Sequence, residues 1–96
     1  MDVSGAAPEP IVVTLKTAME VRGVTATKLA EGIGADRRTV WRWLRGDAPM
    51  SLADASRIAE MLDLPGDLLI RPPATRDGAL AMIAEHDRAL AKVRSR

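Results

Sequence analysis

The chain has 96 residues, and although 47% of them are hydrophobic, only two are aromatic. This length and composition allow one small domain with tails, whose core must be thin and helical. The absence of cysteine excludes disulfides and thiolate chemistry and is compatible with a cytoplasmic protein. No apolar run approaches the ~20 residues of a membrane-spanning helix, and the first residues lack the layout of a signal peptide, so we expect no membrane partner.

Charge is unevenly distributed along the sequence. The formal net charge is only +1, which by itself does not indicate nucleic-acid binding. Residues 22–46, however, contain six basic and two acidic residues, whereas residues 47–75 contain two basic and five acidic residues. One short segment therefore has a net charge of +4 and the next a net charge of −3, which favours a polyanionic partner for the first.

The chain begins with a polar, proline-containing stretch, and we expect residues 1–10 to form a disordered tail. A first helix is predicted over residues 11–22, because Ile11, Leu15 and Ala18 recur at helical spacing. Gly23 is predicted to end this helix.

Residues 25–46 are predicted to form two short helices joined by a tight turn. Thr25 is the expected N-cap of the first helix (26–33), and Asp36 is the expected N-cap of the second (37–45). Between them, glycine suits a left-handed position because it has no Cβ to clash. The packing residues expected at the core of this unit are Leu29, Ala30, Ile33, Gly34, Val40 and Trp43.

The opposite face of the second helix carries Trp41 among four arginines. A solvated helix face usually mixes charges of both signs, so this face indicates a polyanion.

The rest of the chain reads as a closing segment, a linker and one more helix. Ser51 is predicted to cap a fourth helix, and a short turn at residues 67–70 is predicted to close the core. A proline-rich linker is expected at residues 71–75, followed by an amphipathic helix at residues 76–96. Its apolar stripe consists of Leu80, Ile83, Leu90 and Val93.

The spacing of the six packing residues resembles the helix-turn-helix of the lambda-repressor-like, or Cro-type (XRE), DNA-binding proteins. The resemblance extends from about Leu15 to Ile70. It implies an all-α fold, namely a five-helix lambda-repressor-like DNA-binding domain over residues 11–70, with the C-terminal helix as an addition.

The resemblance also implies which residues contact double-stranded DNA. Arg37, Arg38 and Arg42 occupy the positions that usually contact bases, and arginine can donate two hydrogen bonds to guanine. Trp41 is less typical, and it either contacts a thymine methyl group or a sugar, or covers a neighbouring apolar surface. The residues expected to contact phosphate are Thr25, Thr27, Lys28, Thr39 and Arg45.

These features predict sequence-specific DNA binding and transcription regulation, most simply by a repressor of the phage or mobile-element type. The alternatives are an antitoxin whose C-terminal tail binds a toxin, and a protein-interaction module whose Trp/Arg face binds an acidic protein. We expect no enzymatic activity, cofactor or small-molecule ligand. We also expect no metal site, because His86 stands alone and neighbouring helix residues do not converge on one ion.

The sequence leaves the role of the C-terminal helix open. Its stripe either forms a homodimer, packs on its own domain or binds a heterologous partner. In a monomer, the basic end of the chain would instead follow the DNA backbone.

Overall fold

The computed structural model describes residues 9–94, and this part of the chain contains five α-helices and no β-strand. The predicted all-α fold is confirmed. Most of the predicted tail lies outside the described residues, but Pro10 is already the first residue of a helix, where its missing N–H costs no hydrogen bond. The helices are α1 (Pro10–Arg22), α2 (Ala26–Ile33), α3 (Arg37–Arg45), α4 (Leu52–Met61) and α5 (Arg76–Arg94).

The helix boundaries follow from local side-chain chemistry. Thr25 Oγ1 accepts a hydrogen bond from the Lys28 amide (3.2 Å), and an Asp36 carboxylate oxygen accepts one from the Arg38 amide (2.8 Å). Gly34 ends α2 in the left-handed conformation, with φ of 71°. These contacts satisfy backbone groups that helix ends leave unpaired, and α2 and α3 have the bounds that the sequence predicts.

The core lies between α1, α2, α3 and α4, and it includes the turn segment that follows α4. This segment is a turn and not the fifth helix that the resemblance implies, so residues 11–70 contain four helices. Its amide–carbonyl bonds run from Leu68 to Pro65 (3.1 Å) and from Arg71 to Asp67 (2.8 Å). Its side chains nevertheless complete the core, as the short turn predicted there requires. Leu64, Leu68 and Leu69 are all buried.

Helix α5 packs along α1 of the same chain. Ala79 and Ile83 are completely buried, and Ile83 belongs to the main hydrophobic core. Ile83 therefore packs within its own domain. The homodimer alternative instead requires Ile83 to lie on an exposed stripe. Of the remaining stripe residues, Leu80 and Leu90 are half-buried and Val93 is exposed.

Arg22, the last residue of α1, connects α1 to α5 and to the end of α4. Its guanidinium donates two hydrogen bonds to the Asp87 carboxylate of α5 (2.8 and 2.7 Å) and one each to the carbonyls of Leu62 (2.6 Å) and Asp63 (2.7 Å). The bidentate geometry orients both partners more strictly than a single contact would. The Arg22 charge thus serves the fold, although the charge pattern along the sequence includes it in the positive segment.

This ion pair predicts a pH dependence of stability. The hydrogen bonds from Arg22 hold the pKa of the Asp87 carboxyl below its usual range. Because this pKa is lower in the folded than in the unfolded chain, the pair stabilises the fold fully above the unfolded value, and the stabilisation is lost as the pH falls below about 4. In urea denaturation, the free energy of unfolding of the wild type should exceed that of Asp87→Asn near neutral pH. This difference should shrink in acid.

Asp77→Asn is the control, since Asp77 is an exposed aspartate of α5 that takes part in no ion pair within residues 9–94. A difference between wild type and Asp87→Asn that stays constant from neutral pH to pH values well below 4 would contradict the assigned pair.

Candidate nucleic-acid interface

The packing of α3 against α2 and α1 determines which side of α3 is exposed. Val40, Trp43 and Leu44 are buried and hold the helix against the core. Since these positions recur at three- and four-residue spacing, the residues between them must face solvent. Helix α3 therefore exposes one face to solvent along its whole length.

Of the six predicted packing residues, five are buried: Leu29, Ala30, Ile33, Val40 and Trp43. The sixth, Gly34, is exposed. Its role is to end α2 in a left-handed conformation, so its inclusion among the core residues was wrong. It serves the backbone geometry of the turn, because a side chain at this φ would be strained.

Three arginines dominate the exposed face of α3. Arg37, Arg38 and Arg42 are all exposed, and none of them takes part in the ion pairs found within residues 9–94. Their guanidinium groups keep their donors available to an outside partner. Arg38 and Arg42 also line a shallow surface pocket together with Trp41 and Arg45.

Arg45 differs from these three arginines. Its Nε lies 3.0 Å from a carboxylate oxygen of Asp47, and both side chains are about 60% exposed. An ion pair this exposed contributes at most about 1 kcal/mol. A phosphate group can therefore displace Asp47 as the partner of Arg45.

The other predicted phosphate contacts lie at the starts of α2 and α3. Thr25 is occupied as the N-cap of α2, while Thr27 and Lys28 are exposed on its first turn. Thr39 is half-buried in the first turn of α3. The structure brings Thr25, Trp41 and Arg45 together around one cleft, whereas Thr27, Lys28 and Thr39 do not line it.

This cleft lies between α1 and α3, and we call it the Trp41 cleft. Met19, Val24 and Leu44 form its apolar part, and the Trp41 side chain, which is 48% exposed, forms one wall. Lys16 of α1 also lines it. Sequence reasoning missed Lys16, because the helical pattern of α1 identifies it only as an exposed residue.

No group of three or more His, Asp or Glu residues in the described part of the chain could hold a metal ion. His86 Nε2 instead lies 3.5 Å from an Asp63 carboxylate oxygen, at the contact between α5 and the end of α4.

In a comparison with protein families, a helix-turn-helix domain model matches residues 11–70. The chain belongs to the helix-turn-helix domain family. The match includes α1 to α4 and the closing turn, and it ends before α5. It is consistent with the resemblance to the lambda-repressor-like and Cro-type proteins. Searches of curated proteins and of solved structures found no match.

Membership of the helix-turn-helix family indicates DNA binding and a role in transcription regulation. Such domains are typically not enzymes. In this helix-turn-helix, α3 is the second helix of the unit, which is the one that enters the major groove of DNA in helix-turn-helix proteins. No helix within residues 9–94 is long and apolar enough to cross a membrane.

Proposed function

We propose that the chain binds duplex DNA sequence-specifically through α3 in the major groove and represses transcription. The observation that carries this proposal is the exposed face of α3, where Arg37, Arg38 and Arg42 have no ion-pair partner within the described residues. Three unpaired cations on one short helix repel each other, and a polyanion relieves that repulsion.

Arginine also determines the kind of base that we expect α3 to read. Its planar guanidinium can donate two hydrogen bonds to O6 and N7 of guanine, and each such pair contributes about 1–3 kcal/mol of discrimination. Arg37 and Arg38 lie in the first turn of α3, and Arg42 lies one turn further on. We therefore propose a guanine-rich half-site.

Contacts with the DNA backbone would orient the domain without reading sequence. We assign this role to Thr39 and Arg45 on α3 and to Thr25, Thr27 and Lys28 at the start of α2. The amides at the start of α2 also favour an anion, because the helix dipole is positive at that end.

Repression is the mode of regulation that requires least beyond binding itself. A domain that occupies an operator excludes other proteins from the same DNA. We propose a regulator of the phage or mobile-element type, because a compact regulator of that kind would fit the size of this domain.

Selection of bound sequences from a random duplex pool tests the proposal directly. We expect a guanine-rich consensus, and we expect Arg37→Ala, Arg38→Ala and Arg42→Ala each to weaken binding to it by about 1–3 kcal/mol. Each variant should also relax the preference at one base pair, because it removes one reading side chain.

Arg45→Ala and Thr39→Ala are the matched controls on the same helix. They should weaken binding to all duplexes alike and leave the selected consensus unchanged. If the three reading variants all retain the wild-type consensus, α3 is not the reading helix.

A further inference from the structure

We infer that the Trp41 cleft seats one sugar and phosphate of the DNA backbone, with the Trp41 ring against the sugar and Lys16 beside the phosphate. This inference rests on the proposed function and deepens it. It adds α1 to the DNA interface and makes Trp41 a contact to the sugar, which is one of the roles that the sequence left open.

The position of the cleft connects it with the reading face of α3. Trp41 and Arg45 line both the cleft and the shallow pocket formed with Arg38 and Arg42. The indole is therefore a wall shared by the two surfaces. A duplex bound at the outer face of α3 would therefore lie next to the cleft.

The chemistry of the cleft suits a sugar joined to an anion. Its interior is apolar, from Met19, Val24 and Leu44, while Lys16 and Arg45 line it as cations. Deoxyribose offers a largely apolar ring, and the phosphate beside it offers a negative charge.

One acidic residue lines the cleft, and its charge is already compensated. The Glu20 carboxylate accepts two hydrogen bonds from the Arg76 guanidinium, at 2.8 and 3.3 Å. Lys16, by contrast, takes part in none of the ion pairs within residues 9–94. The net charge around the cleft is therefore positive.

The first experiment measures affinity for the selected duplex and for an unrelated duplex as a function of salt. Lys16→Gln should weaken binding to both and make the slope of log K against log salt shallower by about 0.9, because one phosphate contact is lost. Arg88→Gln removes the same charge from the exposed side of α5 and should leave the slope unchanged.

Trp41 is tested by the same measurement and by selection. Trp41→Ala should weaken binding to both duplexes by about tenfold, and Trp41→Phe should restore most of it, because an aromatic ring is retained. Neither variant should alter the selected consensus. Iodide quenching should show Trp41 fluorescence protected by DNA, and Trp41→Phe isolates the signal of the buried Trp43.

Three outcomes would overturn the inference, and each is distinct from failure of the proposed function. A consensus that changes at one base pair in Trp41→Ala would make Trp41 a base reader. Unchanged affinity for DNA in both Lys16→Gln and Trp41→Ala would mean that the cleft binds a second copy of the chain or a small molecule, and not DNA. Equal changes of slope in Lys16→Gln and Arg88→Gln would reduce the effect to overall charge. If the wild type selects no sequence and retains no duplex, it is the proposed function that fails.

Discussion

Trp43→Ala should reduce the free energy of unfolding by about 3–5 kcal/mol. Trp43 is only 4% exposed and belongs to the core in which α3 meets the rest of the domain. The chain contains no phenylalanine or tyrosine, and its other tryptophan, Trp41, lies on the exposed face of α3, so no other aromatic side chain can fill the cavity that the indole leaves. A domain of this size has a total stability near the low end of about 5–15 kcal/mol, so the variant is expected to be largely unfolded at physiological temperature.

Far-UV circular dichroism during urea denaturation measures this effect, and the chain offers its own control. Trp41 lies two residues earlier on the same helix but is 48% exposed. Trp41→Ala should therefore keep nearly the full stability of the wild type. Equal loss of stability in the two variants would show that the orientation of α3 is wrong.

The second large effect is expected at Ile83 of α5. Ile83 is 1% exposed and lies in the main core. Ile83→Asp should cost about 3–5 kcal/mol of stability, because it removes a packed side chain and places a carboxyl group in an apolar site. The same substitution at Val93, which is 69% exposed, should have little effect.

This pair of variants also separates packing from dimerisation. If α5 served mainly as a dimerisation helix, Ile83→Asp would yield a stable monomer in sedimentation experiments. The structure instead predicts a destabilised domain, whatever the oligomeric state of the wild type. Leu90→Asp and Val93→Asp are the appropriate variants for testing self-association, since both residues retain exposed surface in the folded chain.

Local features of the structure could be predicted from the sequence because they depend on residues close together in the chain. The caps at Thr25 and Asp36 join atoms two or three residues apart. The left-handed end of α2 needs only a glycine at position 34. Likewise, the division of α3 into a buried and an exposed face follows from helical periodicity alone.

The sequence by itself therefore determined the helices, the helix-turn-helix unit and the arginine-rich face of α3. Tertiary structure alone decided the rest, because those features join residues far apart along the chain. Arg22 pairs with Asp87, 65 residues away, so its contact with α5 cannot be predicted from the residues next to it in the sequence. Ile83 is buried only because α1 lies against it. Lys16 and Trp41 share a cleft only because α1 packs beside α3. Spacing within one helix specifies which residues share a face, but the partner of that face depends on how the helices pack.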